Sequence, residues 1–239
     1  MAFLGLPPDE LHDCVTMASE LAANTRHAHQ NVEYDGAGRW PLAGAPELWV
    51  YLRRSRSEWE LACKVFDSLA GWRHSLAPAP GGAGPESVTG RGLQVVAGLS
   101  GGRWGHHLTR ARLGGWKVPG KAVWFTHPVP PTAIPVSLRR SRVAPAQAAA
   151  TLEVMFAQRG LGDALLRVAE PSVGMSVLSI QCGLTLWCRD SRIWWRPPGG
   201  DYEQRVSTDL VDVAEEIVRT VEEIRAGVPA RNARLDRVR

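Results

Sequence analysis

The stretch from residue 91 to 142 gathers Arg103, Trp104, His106, His107, Arg110, Arg112, Lys117 and Lys121, with His127 inside the same window. Guanidinium and ammonium groups neutralise phosphate oxygens, indole rings stack on bases, and imidazoles exchange protons near neutral pH. Such a set fits a polyanion-binding surface or a phosphate-handling centre. Residues 87–152 carry nine basic and no acidic side chains, so an acid to hold a metal or orient a histidine has to come from elsewhere in the fold.

A second group lies in Leu184-Thr-Leu-Trp-Cys-Arg-Asp-Ser-Arg-Ile-Trp-Trp-Arg-Pro-Pro198. If Asp190-Ser191 is a two-residue turn, Cys188 faces Ile193, Trp187 faces Trp194 and Leu186 faces Trp195. Side chains alternate across a strand. Leu186, Cys188, Ile193 and Trp195 then share a core face, while Trp187, Trp194, Arg189, Arg192 and Arg196 share the other. That second face is either an aromatic and basic platform or a packed Trp pair. A slip of one residue would exchange the two faces.

Gly115-Trp-Lys-Val-Pro-Gly-Lys121 has the spacing of a phosphate-binding loop. It lacks the rest of that device. Ala122 stands where a magnesium-binding hydroxyl is needed, and Ala122-Val-Trp-Phe-Thr reads as a strand rather than as the helix whose N-terminus would hold phosphates. A glycine turn between short strands is the reading taken. Cys14, Cys63, Cys182 and Cys188 have no C-x-x-C spacing, so buried thiols are expected rather than a zinc or redox site. His27 and His29, two apart near a helix end, point to different sides, which makes them poor joint ligands, and are expected to be solvated. No metal site and no cofactor are assigned.

These residues need elements to carry them. Pro7-Pro8-Asp9-Glu10 opens a helix over about 9–31, with Leu11, Val15, Ala18 and Ala22 recurring at helical spacing beside Cys14 and Leu21. Pro46 and Glu47 open a second, in which Leu48, Leu52, Trp59, Ala62, Phe66 and Leu69 form a stripe that ends near Gly71. Together they predict a helical hairpin over residues 1–76. A Pro/Gly-rich linker follows at 77–92, then a basic Gly/Trp-rich β segment at 93–129 with strands at Leu93–Ala97 and Ala122–Thr126. A Pro-rich connection at 130–143 holds the expected domain boundary.

Residues 144–226 predict an α+β domain. Pro145 starts a helix that Gly160 stops; strands follow at 164–170, 175–181, 184–189 and 192–197. Ser207 or Thr208 caps a last helix with Leu210, Ala214, Ile217, Val221 and Ile224 on one side, both helices covering one face of the meander. Double-stranded-RNA-binding modules share this order, but they set a basic helix on the phosphates, whereas Asp209, Asp212, Glu215, Glu216, Glu222 and Glu223 make this one acidic. Residues 227–239 read as a basic tail.

The fold class is therefore α+β: an N-terminal helical hairpin, a central basic β segment and a C-terminal α–meander–α domain. With 25 arginines to three lysines, the composition is of the GC-rich actinobacterial type, which weakens arginine abundance as an argument. No apolar run reaches the ~18 residues of a membrane span, and the first residues lack a secretion signal, so a cytoplasmic protein without membrane contact is expected. The functional expectation is a non-enzymatic binding or regulatory protein, partnered by another protein or by itself through the N-terminal helices. The alternatives are a nucleic-acid or polyanion binder using residues 91–142 and the Trp187/Trp194 face, and a phosphate-handling enzyme at His106, His107 and His127.

Overall fold

A computed structural model describes residues 5–30, 46–55, 58–68, 91–113, 117–140, 142–162, 165–170, 172, 174–180 and 183–227. Trp116, Cys182, the linker over 77–90 and the 228–239 end of the basic tail lie outside the described residues. The class is α+β, with two antiparallel sheets in two compact units, Met1–Ile134 and Pro135–Arg239.

The first unit opens with α1 (Pro8–Gln30), whose first turn holds Asp9 and Glu10, where the helix dipole favours acids. Its buried stripe is Cys14, Met17, Leu21 and Thr25, while Val15 is half exposed and Ala22 exposed. The stripe thus turns away from the Leu11/Val15/Ala18/Ala22 side expected from the sequence. Burying Met17 and Leu21 with Cys14 removes more apolar area from water than burying Val15 and two alanines.

The expected second helix of the hairpin is instead two strands, β1 (Glu47–Ser55) and β2 (Glu58–Asp67), paired antiparallel from Glu47 opposite Phe66 to Ser55 opposite Glu58. The apolar stripe at helical spacing is real but incidental. Trp49, Val50 and Tyr51 favour a pleated, half-buried surface. All of β2 beyond Glu58 is buried, so it reads as a continuous apolar run and hides the alternation of a strand.

Leu93–Ala97, expected as a strand, belongs to α2 (Arg91–Leu99). Val95-Val96 gave the strand signal, but Gly92 and Val96, one turn apart, are the buried pair. A Cβ on Gly92 would lie 2.6 Å from Glu20 Oε2 and 3.1 Å from Asn24 Nδ2, so glycine lets α2 approach α1 closely. The N-terminal helix pair therefore exists with a different partner.

β3 (Trp104–Arg110) and β4 (Pro119–Val129) complete a four-stranded sheet in the order β1-β2-β4-β3. Trp59, Leu61, Cys63, Val65, Val123, Phe125 and Val129 on one face of this sheet pack with Cys14, Met17, Leu21 and Val96 of the helices. On the opposite face Trp49 stacks on Phe66 beside Ala111 and Ala122.

The second unit starts with the short α3 (Val136–Arg140) and then α4 (Pro145–Gln158), with Gly160 at φ +70° just past its end. β5 (Leu165–Glu170), β6 (Met175–Ile180), β7 (Leu184–Arg189), β8 (Arg192–Trp195) and β9 (Glu203–Val206) form a meander in sequence order. β9 has no sequence-based counterpart, because Glu-Gln-Arg-Val at a sheet edge carries neither alternation nor β-branched density. α5 (Leu210–Arg225) follows, with Asp209 as N-cap rather than Ser207 or Thr208 and with no side-chain capping bond. Ala148, Ala149, Leu152 and Phe156 of α4 and Val213, Ala214, Ile217, Val218 and Val221 of α5 share one core with Leu178, Ile180, Leu184, Leu186, Cys188, Ile193 and Trp195. Both helices thus cover one face of the sheet. Among the described residues no helix is long and apolar enough to cross a membrane.

Candidate binding face

In the first unit the chemistry-bearing side chains separate onto the two faces of the sheet. His106 pairs with Val123 and His107 with Ala122, and successive strand residues point to opposite faces, so the two histidines diverge. His107 is buried. Its Nδ1 lies 2.9 Å from the carbonyl oxygen of Leu108 and its Nε2 3.1 Å from Lys64 Nζ. A carbonyl can only accept, which puts the ring proton on Nδ1, and Nε2 then accepts from the lysine ammonium. Lys64 also sits over the Tyr51 ring, 5.8 Å from its centroid.

Acids from outside the basic segment supply what it lacks. His127 Nε2 donates to Glu10 of α1 at 2.9 Å, and Lys121 forms a buried ion pair with Asp67 at 2.8 Å. Asp67 also accepts from His29 at 3.1 Å, so His29, expected to be solvated, is tied to the sheet, whereas His27 is exposed. The Glu47 carboxylate accepts three N–H groups: Trp49 Nε1 and Arg112 N at 2.8 Å and Leu113 N at 2.9 Å. Arg112 lies over the Trp49 ring at 5.2 Å, and Lys117 Nζ donates to the Arg112 carbonyl at 3.2 Å. Trp104 packs against the helix-side core, Arg110 is half-buried on β3, and Arg103 is exposed in the turn before it.

The glycine–lysine motif is structural at its described end. Gly120 and Lys121 lie within β4, and a Cβ on Gly120 would run into the Asp67 backbone carbonyl and come within 2.7 Å of the Phe66 ring. The glycine is needed for β4 to close on β2, and no helix follows to hold a phosphate.

The second unit carries the other group. Asp190 and Ser191 both have positive φ, 50° and 60°, the conformation of the type I′ turn that matches strand twist. Leu186 faces Trp195, Trp187 faces Trp194, and Cys188 faces Ile193, the register expected from the sequence. With α4 and α5 on the core side, the other face carries a row that runs across four strands: Val168 opposite Val177, Val177 opposite Trp187, and Trp187 opposite Trp194. Val168 is 54% exposed and its β5 neighbour Leu166 64% exposed, while Val177 and both tryptophans are half-buried.

Around this row stand exposed arginines with weak local partners. Arg189 meets Asp190 at 3.0 Å, Arg192 donates to Gln204 Oε1 at 3.2 Å, and Arg196 donates to the Gly200 carbonyl at 3.0 Å. Tyr202, itself exposed, has its ring 6.3 Å from that of Trp187 and lies 5.7 Å from the Arg196 guanidinium. The acids of α5 engage cations of their own unit, with Glu215 on Arg159, Asp212 on Arg205, Glu216 and Glu223 on Arg219, and Glu222 on Arg225.

Sequence reasoning missed Leu166, Val168 and Val177 as members of this face. The signal was present in the alternation of β5 and β6, but it tells which residues share a face, not which face the helices leave bare. Cys14, Cys63 and Cys188 are free, buried thiols, so Cys188 forms no bridge to Cys182. Burial pushes them up to about 11, 12 and 11 in turn, with the acids Asp13 and Glu10 adding to the effect at Cys14 and Cys14 itself adding to it at Cys63. Among the described residues no group of three or more His, Cys, Asp or Glu side chains is placed to hold a metal ion. No protein-family model, no curated protein and no solved structure matches this chain.

Proposed function

We propose that this is a non-enzymatic cytoplasmic binding protein acting through macromolecular contacts, and that the helix-free face of the C-terminal sheet docks a protein partner. The observation that carries the reading is the apolar row Val168, Val177, Trp187 and Trp194 on the side away from α4 and α5, with Val168 exposed and the other three half-buried, bordered by Arg189, Arg192 and Arg196. Binding surfaces concentrate affinity in aromatic and arginine side chains around an apolar centre. The partner chemistry that fits is an extended acidic segment with apolar side chains at alternate positions. The Arg189–Asp190 pair is a surface contact worth ~0–1 kcal/mol, so it yields readily to a partner carboxylate. Three buried free thiols are in keeping with a reducing compartment.

Selection of random peptides on the full chain tests the reading. Acidic–apolar sequences should emerge, and Val168→Glu and Trp187→Ala should each weaken them by about fivefold or more, the loss of roughly 1 kcal/mol at a binding centre. Peptides that bind both variants as tightly as the parent would remove this face from the account. The Trp187/Trp194 pair beside Arg192 and Arg196 also supports a second reading, single-stranded nucleic acid stacked on the same face. A thymidine oligomer whose affinity falls steeply with salt and is lost in Trp187→Ala would favour that reading over the first.

A further inference from the structure

We propose that β5 is a dimerisation edge, which pairs antiparallel, across a two-fold axis, with β5 of a second copy of this chain. β5 and β9 are the two edge strands of the C-terminal sheet, and they are built differently. β9 is only Glu-Gln-Arg-Val, with Arg205 tied to Glu203 at 3.7 Å and to Asp212 at 3.4 Å. Short length and charge are the usual means by which an edge is kept from pairing. β5 is longer, and every residue from Leu166 to Glu170 is exposed, Leu166 at 64% and Val168 at 54%. An uncovered edge with apolar side chains presents its backbone N–H and C=O groups as a template for another strand.

The sequence of β5 selects its own copy as that strand. Paired residues share a face of the sheet, so a two-fold pairing sets even-numbered residues against even and odd against odd. With Arg167 on the axis, Leu166 lies opposite the partner's Val168 and Val168 opposite the partner's Leu166, two apolar pairs on the helix-free face. Moving the axis to Val168 would set each Leu166 against the carboxylate of the partner's Glu170. The first register is therefore favoured.

On the helix side this register brings two arginines together, which alone opposes pairing. Each is accompanied by Glu153 of α4, 3.0 Å from Arg167 Nε, and the two side chains are 39% and 41% exposed. Two acids and two bases thus meet at the axis with no net charge, and each guanidinium gains a second carboxylate within reach. The flank of α4 beside Glu153 carries Ala146, Ala150 and Ala157, small side chains that leave room for the second α4. The helix-free faces of the two copies end on the same side of the joined sheet, and the pairing itself does not rest on what docks there.

Sedimentation equilibrium on the full chain should give a dimer that dissociates on dilution. Glu153→Arg, which sets four cations at the axis, should weaken that dimer about tenfold or more, since like charges across an interface are strongly unfavourable. Combining Glu153→Arg with Arg167→Glu rebuilds the neutral set and should restore it. Leu166→Glu, at an exposed position, is a second disrupting variant should the first fail to fold. With Cys182→Ser in the background, Arg167→Cys should form an intermolecular disulfide on mild oxidation, because opposite Cα atoms lie ~4.5–5.5 Å apart, inside the disulfide range. Ala169→Cys, displaced along the strand from its own copy, should not. Trp187→Ala should leave the dimer intact and Glu153→Arg should leave peptide docking intact, so failure of this edge and failure of the docking face read out separately. A chain monomeric throughout the dilution series, a dimer unmoved by both Glu153→Arg and Leu166→Glu, one that the charge swap does not restore, or one that Ala169→Cys links as readily as Arg167→Cys would overturn the proposal.

Discussion

The turn Asp190-Ser191 places two L-residues at positive φ, a region that costs roughly 1–2 kcal/mol per ordinary residue and less for Asp. It persists because Trp187, Trp194, Cys188 and Ile193 pair correctly only through a two-residue I′ turn. Replacing the pair by Asn-Gly should relieve the strain and raise stability by about 1 kcal/mol, read as a higher thermal midpoint with an unchanged sheet. A lower midpoint would mean that Asp190 or Ser191 contributes more than its backbone. The buried thiols make a second prediction at this scale. Cys14, Cys63 and Cys188 hold their protons more tightly than the ordinary value of 9.0, so the folded state binds more protons than the unfolded one above that pH. Their contribution is complete below pH 9 and is lost as pH rises towards 11–12. Replacing Cys63 by Ala should flatten the alkaline limb of a stability–pH curve relative to the parent; an unchanged limb would assign it to other groups.

At the scale of elements, two glycines make different demands. A methyl on Gly92 meets the ends of Glu20 and Asn24, flexible side chains that can swing aside; a methyl on Gly120 meets the Asp67 backbone and the fully buried Phe66 ring, which cannot. Gly120→Ala should therefore cost more than Gly92→Ala, by about 1–3 kcal/mol in chemical denaturation, the usual range for overpacking. Equal costs would show that β4 shifts away from β2 without penalty. The same elements mark what the sequence could disclose. The β7–β8 register was legible because a turn signal and an alternating pattern agreed, and α4 and α5 because Pro145, Gly160 and a one-sided apolar stripe agreed. Residues 47–67 were not legible as strands: β2 is buried on both sides and has no polar face to show a period of two. The polar chemistry of the first unit was hidden for another reason. Glu10, Glu47 and Asp67 lie far in sequence from His127, Arg112 and Lys121; β2 beside β4 brings Asp67 to Lys121, α1 packed on the sheet brings Glu10 to His127, and the residues after β3 reach back to Glu47 at the start of β1.

At the scale of the whole molecule, the acid-free run 87–152 is not uniformly exposed. Lys121 and His107 are buried, and Lys121 and His127 are matched by Asp67 and Glu10. The net charge of +4 is in this sense a poor guide to partners, because part of the basic segment is spent inside its own unit. Each unit also has its own apolar core. Cys14, Leu61, Val65 and Phe125 belong to clusters within Met1–Ile134, while Leu152, Leu178, Ile217 and Trp195 belong to one within Pro135–Arg239. Separate cores mean that stability need not be lost in one step, since cooperativity is carried by shared packing. Leu61→Ala and Leu178→Ala remove the same group from equally buried sites, and each should cost about 2–5 kcal/mol. In calorimetry of the full chain, two transitions are expected, with Leu61→Ala lowering one and Leu178→Ala lowering the other. A single transition that both variants lower alike would show the two units unfolding as one, and would require a coupling that neither core supplies alone.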